Sequence, residues 1–249
     1  MQAALAVILL LAASAFLSSF LLGVMDSIAD HSIVEREAFL AREAESVENW
    51  YEANLVSIDG TEEQVLPSVS NRYGAVVLGS KRVACDGEVQ AHKYAIVIPG
   101  VDGIGTTLDA DTGVLTKGKS DQVREVDGCS IEKRRFAESR QRAHHLVLAL
   151  ENYFKGEMLK EQYGTDKNYF IDSGCGGGGK IACTEDSPAD VLIATLGVSQ
   201  SDREDAYGVV MRFDNFSSNV STSTPPYSAR IGFSTPWGTT VWTQATATF

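Results

Sequence analysis

Residues 3–25, AALAVILLLAASAFLSSFLLGVM, contain no charged side chain, and residues 26–54, DSIADHSIVEREAFLAREAESVENWYEAN, contain no proline. The first stretch is long enough to cross a bilayer as a helix, which needs roughly 20 residues. In the second stretch, apolar residues recur at the spacings of one face of an amphipathic helix: Ile28, Ile33, Val34, Leu40, Ala41, Ala44, Val47 and Tyr51. The sequence therefore predicts a single helical rod, about 80 Å long at about 1.5 Å per residue.

The charges around the apolar run bear on how the chain is exported. A secretory signal places Lys or Arg before its apolar run, whereas the first basic residue here is Arg36. We therefore expect that Met1 is not the translation start and that a basic leader is removed. An ordinary cleaved signal is the alternative, because Ala13-Ser14-Ala15 has the A-x-A cleavage pattern.

Composition narrows the class of protein. Beyond the apolar run, the chain of 249 residues is long enough for one large domain or two small ones. The net charge of -12 argues against direct binding to nucleic acid, because an acidic surface repels phosphate. The charges are spread along the chain, which favours a soluble domain outside the cell.

The four cysteines form an even set in an exported chain, so disulfides are expected. Three pairings are possible, and sequence proximity favours Cys85–Cys129 with Cys175–Cys183. A zinc site is the alternative, but neither pair has the C-x₂-C spacing and no histidine is placed to complete it.

The chain after residue 54 divides into segments of different character. The sequence predicts a linker over residues 57–71. Over residues 101–127 it predicts turns around one strand near Gly113–Thr116. Short β-branched runs predict strands at Ala75–Leu78 and Tyr94–Ile98. Helical spacing without proline predicts a second long helix over Ser130–Tyr163, with a possible interruption at Gly156.

The C-terminal part predicts a short helix and three strands. The helix spans Pro188–Val198, capped by Asp186 or Ser187. The three strand candidates are Tyr207–Phe213, Tyr227–Phe233 and Thr239–Phe249. We predict an α+β fold in which the long N-terminal helix packs on this C-terminal antiparallel sheet, with an additional α+β insertion that contains the second long helix. The expected domains are 1–56, 57–129 and 130–249.

The N-terminal part resembles the type IV pilins, most closely the type IVb class and the shufflon-type minor pilins of conjugative pili. The likeness rests on a chain that opens with Met, about 25 apolar residues, and an amphipathic continuation that ends near Trp50-Tyr51. Two C-terminal segments, Asp205–Gly208 and Pro225–Gly238, resemble the aromatic-Gly turns of pilin sheets. Residues from about 60 to 200 match no family pattern.

The resemblance implies a filament subunit with no enzymatic activity and no cofactor. It implies an inner-membrane stage before assembly, then an extracellular pilus made with other pilin subunits, and possible contact with a surface receptor. Eight residues are expected in the membrane and later in the filament core: Ala3, Leu5, Val7, Leu10, Phe16, Phe20, Leu22 and Met25. Most pilins carry Glu at the fifth mature position, and its loss at Leu5 is associated with minor or tip subunits.

Several segments could carry chemistry, but each has a simpler interpretation. Gly174–Lys180 matches the phosphate-binding G-x-x-x-x-G-K, yet Ile181 replaces the required Ser or Thr, so a flexible glycine turn is favoured. His144-His145 point about 100° apart on a helix and are not expected to chelate one metal. Asp109–Gly113 alternates like a calcium loop but lacks the closing Glu, which favours a turn.

Two side-chain clusters remain open. The basic residues Lys133, Arg134, Arg135, Arg140 and Arg142 form a solvated helix face or a patch for an acidic neighbour. The aromatic residues Tyr227, Phe233, Trp237 and Trp242 form core or a sugar-stacking surface. The main hypothesis is therefore a minor or tip-proximal pilin. A major pilin and a tip adhesin for a receptor or glycan are the alternatives, followed by a membrane-anchored envelope enzyme or sensor.

Overall fold

The computed structural model describes residues 32–54, 66–161 and 166–248. Residues 32–54 form helix α1, and Phe39, Leu40, Ala44, Val47 and Tyr51 are its buried positions. Four of them belong to the predicted amphipathic face. Ile33, Val34 and Ala41, also predicted on that face, are exposed, although Glu35 in the first turn contacts Arg72 and Tyr73.

Seven strands follow α1: β1 (Val76–Gly79), β2 (Val83–Asp86), β3 (Val89–Ala91), β4 (Lys93–Ile98), β5 (Thr107–Leu108), β6 (Leu115–Thr116) and β7 (Gln122–Asp127). Strands β1, β4 and β7 form an antiparallel sheet in that order, while β2–β3 and β5–β6 are two-stranded hairpins. The predicted strands at 75–78 and 94–98 correspond to β1 and β4. The sequence analysis missed β2, β3, β5 and β7.

Helix α2 spans Gly128–Lys160 without interruption, so Gly156 does not break it. The Asp127 carboxylate accepts a 3.1 Å hydrogen bond from the Cys129 amide and caps the first turn. The predicted start at Ser130 was therefore two residues late. A later helix, α3, spans Val191–Leu196. The predicted cap at Asp186 or Ser187 is wrong, because Ser187–Pro188 forms strand β8.

The remaining strands are β9 (Arg212–Asp214), β10 (Tyr227–Ser234) and β11 (Thr240–Ala247). They join β8 in an antiparallel sheet of order β11-β10-β9-β8. Strands β10 and β11 agree with prediction, whereas the candidate at 207–213 is a strand only in its last part.

Two clusters of buried residues organise the fold. In the first, which we call the N-terminal core, α1 packs on the β1-β4-β7 sheet with Tyr94, Ile96 and Ile98. In the second, the C-terminal core, α2 packs on β10 and β11 with Leu150 and Phe154 at its centre. The fold is α+β, as predicted.

The predicted packing of the first helix on the C-terminal sheet is wrong. Helix α1 covers the sheet formed by the strands that follow it in the chain, and α2 covers the C-terminal sheet. Short connections favour this arrangement, because consecutive elements usually lie side by side. The second long helix is therefore part of the C-terminal core rather than of an inserted unit. The three predicted domain boundaries stay a prediction.

Candidate functional site

The most unusual polar group in the described part of the chain is the fully buried carboxylate of Glu132, near the start of α2. Its Oε1 accepts a 2.9 Å hydrogen bond from the Tyr51 hydroxyl of α1 and a 3.0 Å bond from the Arg82 guanidinium. The Tyr207 hydroxyl lies beside the same carboxylate. The Tyr51 hydroxyl also accepts a 3.3 Å bond from the His92 amide. One carboxylate thus joins α1, the β1–β2 connection, α2 and the segment before β9.

Burial is the main cause of the pKa shifts in this cluster. It raises the pKa of Glu132, although Arg82 and the hydroxyls of Tyr51 and Tyr207 oppose the shift. Burial also raises the pKa of Tyr51, and the neighbouring Glu132 charge adds to that effect. The Glu132 side chain has no solvent exposure and the Arg82 side chain only 11 %. A substrate has no access to such a group, so the cluster links elements of the fold.

A row of polar residues on α2 continues from this cluster and holds the segment 204–207. The Ser139 hydroxyl accepts a 3.0 Å bond from the Ala206 amide, and Arg135 donates to the Ala206 carbonyl at 3.1 Å. One turn further, Arg142 donates to the carbonyls of Glu204 and Asp205 at 3.1 and 3.0 Å. These bonds dock the segment onto the helix.

Asp205, in that segment, is almost completely buried. Its Oδ1 accepts bonds from the amides of Tyr207 and Val209 at 2.8 and 2.9 Å, while Oδ2 accepts none from the described residues. Burial raises the pKa of Asp205 to about 6, against the lowering effect of the two amides and of Arg142. A carboxyl that titrates near neutrality is a candidate for acid–base chemistry, but this one is closed to solvent.

The glycine loop at 174–180 is packed rather than flexible, so that part of its predicted description is wrong. The amides of Gly177, Gly178 and Gly179 donate to main-chain carbonyls of residues 168–172 at 2.8–3.0 Å. A Cβ on Gly179 would overlap the Tyr169 carbonyl oxygen. Because the amides are already bonded within the chain, they are not free to cradle a phosphate.

The metal candidates lack the ligands that a metal needs. Asp172, Cys175 and Cys183 bring their ligand atoms within 4.8 Å of one another, but both sulfurs belong to the Cys175–Cys183 disulfide. His144 and His145 are exposed on α2. Asp109 accepts bonds from the Asp111 and Thr112 amides at 3.1 and 2.7 Å, which closes the turn between β5 and β6. These bonds form the turn that the sequence analysis favoured over a calcium loop.

Both disulfides of the favoured pairing are present, Cys85–Cys129 and Cys175–Cys183. The first ties β2 to the first turn of α2, and the second closes the glycine loop.

The basic residues of α2 are engaged within the chain. Lys133 lies 3.3 Å from Asp86 and Arg140 3.6 Å from Glu88, while Arg134 pairs with Glu52. Arg135 and Arg142 donate to main-chain carbonyls as described. This arrangement matches a solvated helix face better than an unpaired basic patch.

The aromatic residues of the C-terminal region divide into two groups. Tyr227 and Phe233 are buried in the C-terminal core. Trp237 and Trp242 are half-buried at a groove of about 480 Å³ between the β2–β3 turn and the start of β11. Trp237 stacks on Phe136 at 6.1 Å between ring centroids, and Trp242 has the Arg230 guanidinium 4.1 Å from its ring centroid.

The eight residues expected in the membrane and filament core, Ala3 to Met25, lie outside the described residues. Within the described ranges, no helix is long and apolar enough to cross a membrane.

The buried polar cluster was not foreseen from the sequence. Glu132 stands between Ile131 and a run of basic residues, so its position resembles an ordinary surface carboxylate. The only available signal was Tyr51, a residue with a hydroxyl on the predicted buried face of the first helix, since buried tyrosines usually find a hydrogen-bond partner.

Comparisons with protein-family models, with curated proteins and with solved structures find no match for this chain.

Proposed function

We propose that this protein is a structural subunit of a type IV pilus that assembles through its N-terminal helix. The observation that carries the proposal is the position of α1, which buries one face on a sheet while Ile33 and Val34, apolar residues of its first turns, are exposed. Val34, in these turns, is 62 % exposed. The uncharged run 3–25 precedes α1 in the chain, with six residues between them. This order, an apolar run followed by a half-covered helix, suits a subunit that is held in a membrane and then packed into a filament.

The driving force for assembly is burial of the apolar run against other copies. Apolar surface removed from water contributes about 25 cal/mol per Å², and the expected core residues extend over Ala3–Met25. The outer face of α1 is polar, with Glu45, Glu48 and Asn49 exposed. Lateral contacts near the base of the globular body are therefore expected to be more polar and more salt-sensitive than those of the apolar run.

We further propose a minor or tip-proximal position, with an inner-membrane stage before assembly and an extracellular location afterwards. The run 3–25 holds no acidic residue that could pair with an amine of a neighbouring subunit. An unpaired charge in lipid is costly, so a subunit without one has no need of a partner ahead of it. Other pilins are the expected partners.

Removal of the residues up to about Ile28 tests the role of the helix. The truncated chain should be soluble and should not enter sheared surface filaments. Retention of both disulfides and an unchanged circular dichroism spectrum beyond the lost helix would show that the globular part is intact. Filaments formed by the truncated chain would contradict the proposal.

The position in the filament has a separate test. Quantitative mass spectrometry of sheared filaments should find this chain at low copy number, and immunogold labelling should mark filament ends. Labelling along the shaft with this chain as the dominant component would make it a major pilin. Absence from purified filaments altogether would exclude a filament subunit.

A further inference from the structure

Strand β4 runs along α1 toward the first turns of the helix. Near the start of the strand, the ring of Tyr94 lies 5.8 Å from the ring of Tyr51, close to the C-terminal end of α1. After its end, Pro99 lies against the short turn Arg72–Gly74. The tyrosine of that turn donates a 3.3 Å hydrogen bond to Glu35, in the first turn of α1. The chain that follows β4 therefore lies at the same end of the folded part as the first turns of α1.

Two loops meet at this end, and we call them the end loops: residues 99–106, which follow β4, and residues 117–120, which follow β6. The buried carboxylate of Asp121 accepts hydrogen bonds from three amides of the first loop at 2.7–2.9 Å. Gly118 of the second loop lies so close to Gly105 that a Cβ would come within 2.8 Å of its main chain. The two loops are therefore fixed against each other.

The end loops expose apolar and basic side chains together. Val101, at the tip of the first loop, is 104 % exposed, and Ile104 is 51 % exposed. Lys117 and Lys119 are exposed in the second loop, and neither forms an ion pair with a described residue. The acidic residue of these loops, Asp102, accepts a hydrogen bond from a serine hydroxyl of the second loop. With two lysines and one aspartate, the end loops are net positive in a chain of net charge -12.

The uncharged run 3–25 limits how far this end can lie from a membrane. Met25, at the end of the run, and Ser32, at the start of α1, are seven residues apart. An extended chain spans at most about 3.6 Å per residue, so these two residues lie within about 25 Å of each other. In the membrane stage that we propose, the run lies in the bilayer. The end loops then belong to the part of the folded chain that is tethered nearest to the lipid surface.

We propose that the end loops bind the anionic lipid surface before assembly, with Val101 at the headgroup boundary and Lys117 and Lys119 on lipid phosphates. Membrane-surface binding combines buried apolar side chains with attraction of Lys and Arg to anionic lipids. A fluid lipid layer accommodates a single projecting side chain, whereas a neighbouring subunit would need a complementary pocket for it. This contact deepens the proposed function and rests on its membrane stage.

Lipid quenching measures the contact in the full chain, reconstituted in vesicles of phosphatidylethanolamine and phosphatidylglycerol. Val101→Cys and the control Val114→Cys each carry a bimane label, since the four native cysteines are bonded in disulfides. Val114 is also exposed, at 59 %, but its neighbour Gly113 lies against Lys93, at the opposite end of β4. A lipid with a nitroxide on its headgroup should quench the label at position 101 at least about threefold more than the label at position 114.

Charge variants test the role of the two lysines. Lys117→Glu with Lys119→Glu should lower the quenching at position 101 at least about threefold, because an acidic loop is repelled by phosphatidylglycerol. Lys155→Glu with Lys180→Glu makes the same charge change at exposed positions outside the end loops and should leave the quenching unchanged. In vesicles of phosphatidylcholine alone, the two double variants should behave alike. An equal effect of both in the anionic vesicles would overturn the proposal.

The fate of the vesicles separates this contact from the pilus proposal. A chain that stays in the vesicles during carbonate extraction, with equal quenching at positions 101 and 114, would overturn the lipid contact while the membrane stage stands. Release by carbonate would contradict the membrane stage and, with it, the contact. Shielding of position 101 from a water-soluble quencher only in assembled filaments would assign the end loops to a neighbouring subunit, and the lipid contact would fail.

Discussion

The N-terminal and C-terminal cores are both a helix on an antiparallel sheet, but they are held in different ways. The C-terminal core is a row of apolar contacts between α2 and β10, with Phe154 beside Tyr227 at one end and Phe136 beside Phe233 at the other. The N-terminal core closes around a buried ionic and hydrogen-bonded group, because Tyr51 and Arg82 converge on Glu132. Apolar packing tolerates small shifts, whereas a buried carboxylate needs its partners in place. The difference predicts where each core is most sensitive to substitution.

The largest effect should come from Glu132→Ala, which removes the buried carboxylate that pairs with Arg82 and accepts the hydrogen bond of the Tyr51 hydroxyl. Breaking a buried pair in this way costs about 3–5 kcal/mol. Denaturant unfolding of the full chain measures the loss of free energy of unfolding. Glu88→Gln is the control, since its pair with Arg140 is exposed and worth about 0–1 kcal/mol. A small effect for Glu132→Ala would mean that polar anchoring does not distinguish the cores.

The two disulfides should stabilise the protein unequally. They close loops with sequence separations of 44 and 8 residues. Chain entropy then predicts a loss of about 4 kcal/mol for Cys85→Ser with Cys129→Ser, and about 2.5 kcal/mol for Cys175→Ser with Cys183→Ser. Thermal unfolding of the two double variants compares them directly. A reversed order would show that the packed glycine loop depends on its disulfide more than the link between β2 and α2 does.

Asp205 should make the contact between the segment 204–207 and α2 sensitive to pH. Its pKa of about 6 in the folded protein lies above the usual aspartate value, so the folded state binds the proton more tightly. The free energy of unfolding should therefore fall as the pH rises from about 4 to about 6, by on the order of 2 kcal/mol.

Asp205→Asn should abolish that part of the pH dependence while its Oδ1 still accepts both amide bonds. Asp121 provides the contrast. Hydrogen bonds from the Thr106 hydroxyl and from the amides of Gly100, Thr106 and Gly105 outweigh its desolvation and lower its pKa to about 2. Its contribution is lost as the pH falls through that value. An unchanged slope between pH 4 and 6 in the Asp205 variant would assign the dependence to another group.

The smallest effect should be a gain in the free energy of unfolding. Gly156 lies inside α2, and a Cβ there would meet nothing within 4 Å. Gly156→Ala should raise the free energy of unfolding by about 1 kcal/mol, because alanine loses less backbone entropy in a helix. Gly179→Ala is the matched control and should lower the free energy of unfolding, since its Cβ would overlap a main-chain carbonyl. Stabilisation by both would be incompatible with the packed glycine loop.

Local patterns predicted individual elements better than their packing. The spacing of Leu40, Ala44, Val47 and Tyr51 indicated the buried face of α1, and β-branched runs indicated β1 and β4. The sheet that each helix covers depends on contacts between distant residues, and periodicity carries no information about the partner. Strand β5 was missed for a different reason, since two residues are too few to show alternation.

The candidate site was harder to predict than the fold. Glu132 looks like one surface charge among several on α2, and only the folded chain brings Tyr51, from 81 positions earlier, to within 2.9 Å. The even cysteine count indicated disulfides, and proximity in sequence favoured the pairing that is present. By contrast, the glycine loop looked flexible because composition does not reveal which carbonyls its amides meet.

Helix α2 belongs to both cores, since Ile131 and Glu132 face the N-terminal sheet and Leu150 faces the C-terminal one. In the pilus that we propose, the subunit would be pulled through its N-terminal helix, and that force would reach the rest of the molecule where α1 is attached. The Tyr51–Glu132 bond passes the load from one helix to the other, and the Cys85–Cys129 disulfide fixes the receiving end of α2 to β2. We therefore expect the two cores to bear tension as a single mechanical unit that yields in one step.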